Sequence, residues 1–271
     1  MALHMLMTAS SLGYTPSTLS LMNTLLSQRP SSFSKTRARL RDVESRFKRL
    51  LRTENNPDAM TLQGRLILKE GGSSLEALNY FNRAIEAGRP KSSNPSSSSS
   101  NEPSPSSSSP RPRPPRWTFE GSCYLNRGSI LLQQRKPDQA AAAFRVAALE
   151  LGLAEGYVQL AKLLPPAEER ETYLMSAAQA GHVEACRLLA LDLARRASDA
   201  SFPGGDGDRA YAVSMAREWV QIDPDVGQED GVVAELEERV GKWWADKERH
   251  HPEEHRNTDR KPLHVNFGSK K

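Results

Sequence analysis

Few side chains in this 271-residue chain have both the type and the spacing for chemistry. His250, His251 and His255 stand in the run RHHPEEH beside Glu253 and Glu254, which together offer the donor set of a metal site. Pro252 breaks the helical i, i+4 face that would bring them together, and the run lies in a charged tail, so metal binding is not expected. Cys123 and Cys186 are the two cysteines, with no Cys-x-x-Cys for zinc or redox work. Each falls at the start of a predicted helix where a small packed side chain is wanted, which makes both structural thiols. His182 opens a helix directly after Gly181. The acidic pairs Glu168-Glu169 and Glu237-Glu238 have no nucleophile in register with them, and no glycine-rich phosphate loop or nucleophile elbow occurs. The chain is therefore expected not to be an enzyme, and to use no cofactor, metal or small-molecule substrate.

What remains is the pattern of the elements themselves. A large apolar residue, an alanine three later, and a glycine a few residues beyond recur as Leu6/Ala9/Gly13, Phe81/Ala84/Gly88, Phe144/Ala147/Gly152 and Leu174/Ala177/Gly181. In the helix after each turn, small residues five apart mark close contact: Ala59/Gly64, Cys123/Gly128, Gly156/Ala161 and Ala185/Ala190. Cys123 to Gly156 is 33 residues and Gly156 to Ala185 is 29, a period in the range of stacked helical hairpins. One such hairpin cannot bury its own apolar stripe; stacked hairpins can.

Tyr124, Gly128, Ala140, Phe144 and Ala147 have the spacing of the tetratricopeptide signature. Its Ala-x-x-x-Phe core returns as Ala77/Phe81, and the segment AAQAGHVEACRLLA at 177–190 resembles the Sel1-like variant. The match departs from the family pattern at Arg65 and Arg127, at Pro165-Pro166 and at the glycines 204, 205 and 207. The resemblance implies an all-α protein, an α-solenoid of hairpins that binds a protein or peptide without catalysis, and it is similar to such families over most of 1–88 and 117–222.

The chain thus divides into N-terminal helical repeats at 1–88, an insertion at 89–116, C-terminal repeats with a capping helix at 117–246, and a charged tail at 247–271. Within the insertion, residues 91–116 hold twelve serines and almost no apolar side chain, so disorder is expected, with a polyproline tendency at the Pro-Arg end. Ser104-Pro105 and Ser109-Pro110 have the form of proline-directed phosphorylation sites beside Arg111, Arg113 and Arg116. Asn56-Pro57 should start a helix, and Ser73 with Glu76 has the form of a capping box.

The formal net charge of +4 conceals a division. Residues 29–52 carry nine basic and two acidic groups, and residues 89–116 five and one, whereas residues 117–245 carry thirteen basic and twenty acidic groups. The repeats at 117–245 are acidic, so the basic overall balance does not argue for nucleic acid. A predicted helix at 35–54 places Leu40, Val43, Phe47, Leu50 and Leu51 on one face and a row of arginines on the other. That row offers a second surface, for an anionic membrane or nucleic acid. The first 41 residues lack any acidic side chain and are rich in Arg and Ser, the composition of a mitochondrial import segment, while Leu6/Ala9/Gly13 reads equally as a repeat helix. Polar residues interrupt every apolar stretch, so no membrane-spanning helix is expected.

Partner binding is expected on the exposed concave face of the first helices. If Ala161 and Ala190 are equivalent packing points, the residues three before and one after them point outward, which selects Val158, Lys162, Arg187 and Leu191.

Overall fold

The computed structural model describes residues 2–27, 40–90, 112–165, 167–198 and 214–215. Every regular element among these is helical. In chain order they are α1 (Ala2–Ser11), α2 (Thr15–Ser27), α3 (Arg41–Thr53), α4 (Pro57–Lys69), α5 (Ser74–Ala87), α6 (Glu120–Gln133), α7 (Pro137–Arg145), α8 (Ala154–Leu163), α9 (Glu168–Gln179) and α10 (Val183–Ser198), with a π-turn over Val146–Glu150 that prolongs α7. The residues 35–39 of the predicted basic helix, most of the serine-rich insertion, the capping helix and the histidine-bearing tail lie outside the described residues.

The turns follow from local chemistry. Asn56 caps α4 as expected: its Oδ1 accepts the Ala59 N–H at 3.0 Å, and Pro57 occupies the first turn, where a missing N–H costs nothing. Gly13, Gly71, Gly152 and Gly181 end their helices with φ between 68° and 90°, and Arg135 does the same at 59°. The next residue then donates back to a carbonyl of the finishing helix, as in Tyr14 to Ala9, Gly72 to Ile67, Lys136 to Leu131 and His182 to Ala177. After α7 the bond runs from Leu153 to Ala147, six residues back, because the π-turn has inserted one more residue into the last ring. Ser73 stands at the cap position of α5 with extended backbone, but its hydroxyl makes no cap bond, so the capping box exists in the sequence pattern and not in the hydrogen bonding.

The described helices fall into two compact units, Met1–His182 and Val183–Lys271. In the first, consecutive helices pair across these turns: α1 with α2, α4 with α5, α6 with α7, and α8 with α9. Each pair also meets the next, through α5 with α6 and α7 with α8, while α2 touches α4 and α4 touches α6. Two apolar clusters fill this unit. One centres on Leu21, Leu25, Phe47 and Leu62; the other runs from Met60 and Phe81 through Cys123 and Phe144 to Leu160. In the second unit, α10 buries Ala185, Cys186, Leu189, Ala190 and Leu193, a helical i, i+3, i+4 stripe.

The repeated phrase has a physical counterpart. A Cβ placed on Gly64 would lie 2.6 Å from Phe81 Cε1, and one placed on Gly128 would collide with the same ring atom of Phe144. Each first helix thus lets an aromatic ring from its second helix close against bare backbone, and both rings are fully buried.

Candidate interaction site

Of the four residues selected as groove contacts, Val158 and Lys162 lie one turn apart on α8, and Arg187 and Leu191 one turn apart on α10. The first pair belongs to one compact unit and the second to the other, and each is described by itself. Lys162 is exposed, while Arg187 and Leu191 are half-buried. Val158 is fully buried. That corrects the expectation for Val158, and the cause is simple: a residue three before Ala161 shares its helical face, so a face that buries Ala161 buries Val158 too. The position one after the packing residue behaves differently. On α4 it is Arg65, half-buried, whose Nη1 donates to Asn23 Oδ1 of α2 at 3.0 Å; on α6 it is Ser129, exposed. Burial lowers the Arg65 pKa from its ordinary value.

The most strongly built polar constellation lies elsewhere, at the end of the insertion. Glu120, in the first turn of α6, has no exposed side-chain surface. Arg113 meets it with both ends of its guanidinium, Nη2 to Oε1 at 2.7 Å and Nη1 to Oε2 at 3.1 Å. The backbone N–H of Arg116 donates to the same carboxylate. Arg113 also reaches the end of the π-turn, through Nε to Glu150 Oε2 at 3.0 Å and through its own N–H to the Glu150 carbonyl at 2.7 Å. The two carboxylates hold the guanidinium charged, its hydrogen bond to Glu120 being the largest cause, and raise its pKa. Beside this clamp, Pro112 packs where Gly152 turns, the ring of Trp117 lies against Gly88, and the Phe119 N–H donates to Asp58 Oδ1 at 2.8 Å. Residues 112–116, read as the end of a stretch with nothing to bury, are a strap that ties α6 to the π-turn. The serine runs gave no sign of this; the only signal was an isolated Glu120 a few residues beyond the Pro-Arg segment.

Two further arrangements of titratable groups stand among the described residues. Cys123 is fully buried, its Sγ donates to the Phe81 carbonyl at 3.4 Å, and desolvation pushes its pKa up to about 12, the reverse of what a nucleophilic thiolate needs. His182 Nε2 lies 2.8 Å from Glu155 Oε2, and Gln159 Nε2 donates to the other oxygen at 2.6 Å. Partial burial would raise the Glu155 pKa, but these two contacts outweigh it and the net shift is downward. Among the described residues no three His, Cys, Asp or Glu side chains are grouped to hold a metal ion, and no helix is long and apolar enough to cross a membrane. The cluster at 250–255 lies outside the described residues.

No family model, curated protein or solved structure matches this chain.

Proposed function

We propose that the chain is a non-catalytic scaffold or assembly adaptor, an α-solenoid of tetratricopeptide- or Sel1-like hairpins that holds a peptide or partner helix against its first helices. The recurrence of one contact supports this reading: Gly64 against Phe81, and Gly128 against Phe144, in successive hairpins whose first helices touch each other. Repeats of this kind place equivalent residues side by side along one face, which suits an extended ligand. With Val158 buried, the contact set in the first unit becomes the positions one after each packing residue, Arg65, Ser129 and Lys162; Arg187 and Leu191 on α10 remain a contact pair of the second unit by itself. Two of the three in the first unit are basic, which favours a ligand carrying acidic side chains.

The test is site-specific photocrosslinking in the full chain in its native cell. A crosslinker at Ser129, which is exposed on α6, should trap a defined partner; one at Ala142, exposed on α7, should not. Equal trapping at both, or trapping only at Ala142, would move the interface off the first helices. Mitochondrial residence is the companion proposal, resting on the acid-free, Arg- and Ser-rich start, and a uniformly cytosolic fluorescent fusion would remove it.

A further inference from the structure

The end of the first unit formed by α1 and α3 carries features that the first-helix reading leaves unused. Helix α3 is tightly amphipathic: Val43, Phe47 and Leu50 are buried, while Arg41, Lys48, Arg49 and Arg52 are all exposed. Arg46 and Arg49, with Ser45 and Asp42, line a shallow cleft of about 310 Å3. The Arg46 guanidinium leans toward α1, its Nη1 3.4 Å from Ser10 Oγ, so the two helices belong to one surface region. On the α1–α2 hairpin next to it stand the most exposed large apolar side chains of the described chain apart from Leu75: Leu12 at 83 %, Met5 at 67 % and Tyr14 at 60 %. Met5 stands on α1, and Leu12 and Tyr14 follow in and just after the turn that leaves it.

We propose that this α1–α3 end docks on an anionic phospholipid surface. The exposed arginines and Lys48 would meet the negative leaflet, the cleft between Arg46 and Arg49 would take a headgroup phosphate, and Met5, Leu12 and Tyr14 would enter the interfacial layer. Basic side chains beside exposed apolar ones are what a bilayer interface recognises: charge attracts the protein to the leaflet and apolar insertion keeps it there. A nucleic-acid backbone would satisfy the arginines and leave the three apolar side chains in water. Lodging the positive charge at this end is also consistent with the acidic balance of 117–245, which the same leaflet would repel.

Vesicle flotation with the full chain tests this. Binding should appear with phosphatidylcholine vesicles containing phosphatidylserine and be weak with phosphatidylcholine alone. Each basic side chain near such a leaflet contributes about a five-fold factor in partitioning, so Arg49→Gln with Arg52→Gln should weaken binding about 25-fold. Met5→Ser with Leu12→Ser should also weaken it, and should abolish the fraction that persists at high salt. All four positions are exposed, so the melting curves should stay unchanged; Arg41→Gln with Lys48→Gln is a second charge pair should the first fail to fold. Equal flotation with neutral and anionic vesicles, or full binding by any folded double variant, overturns the proposal. So would retention on a DNA duplex without flotation on vesicles, which would assign the basic face to nucleic acid.

Discussion

A methyl group at Gly128 would have to occupy the edge of the Phe144 ring, and one at Gly64 that of Phe81. Gly128→Ala should therefore destabilise by about 1–3 kcal/mol through overpacking, although alanine is the better helix former. Phe144→Ala should cost about 3–5 kcal/mol. Combined, the two should cost less than their sum, since the truncated ring no longer meets the new methyl; additive denaturation midpoints would show that the contact is not tight. A second residue-level expectation concerns Glu155. Its folded pKa is depressed, so the stabilisation from its His182 and Gln159 contacts is present above the ordinary carboxylate range and is lost as pH falls through the folded value. Glu155→Gln should flatten that acid limb of the melting temperature against pH by lowering the neutral value toward the acid one, with little change in acid; an unaltered limb would sink the assignment. At this scale much was legible. The small residues and phenylalanines announced their packing because the same spacing occurs in two hairpins, Gly64 with Phe81 and Gly128 with Phe144. Val158 was misjudged by counting from Ala161 without asking which face three residues spans, and Glu120 was missed because a first-turn glutamate ordinarily faces water and favours the helix dipole.

At the scale of elements, proline, asparagine and glycine punctuation placed the helices, since each fixes a backbone state that little else satisfies: Asn56-Pro57 opens α4 and Gly181 closes α9. The π-turn after α7 could not be read, because VAALE continues an ordinary helical pattern; Gly156 packs closely against its Ala147 and Ala148 backbone. The strap at 112–116 could not be read either. Its composition is that of a linker, and its order comes from one arginine finding two glutamates, Glu120 seven residues on and Glu150 thirty-seven residues on. The insertion therefore has a boundary inside it. Removing residues 91–111 and joining the ends with a flexible linker should leave helical circular dichroism and the cooperative melt nearly unchanged. Extending the deletion through Arg116 strips the buried Glu120 carboxylate of its partner and should cost about 3 kcal/mol, the scale for breaking one side of a buried pair. Identical melts for the two deletions would show that the clamp contributes nothing.

Along the chain, charge and apolar exposure are distributed by region: basic residues gather at 29–52 and the most exposed large apolar side chains apart from Leu75 stand on the α1–α2 hairpin, while 117–245 is acidic. The sequence disclosed the charge half of this division, because charge can be counted along a chain. It did not disclose that Met5 and Leu12 would stay exposed, since the same residues could equally have been spent on a core. One further consequence follows from Trp117 lying on Gly88. The residue that ends one hairpin and the residue that leads into the next are in contact, so everything spelled between them hangs from a closed neck. Lengthening a loop with a fixed neck costs only about 0.6 kcal/mol for each doubling, which makes the stretch a natural port for foreign sequence. A small fluorescent domain spliced between Ser99 and Ser100 should leave the melting transition of the helices in place, and a shift of many degrees would mean that the neck is not closed in solution. Such a port would let the protein be tracked in the cell with both of its chain ends untouched.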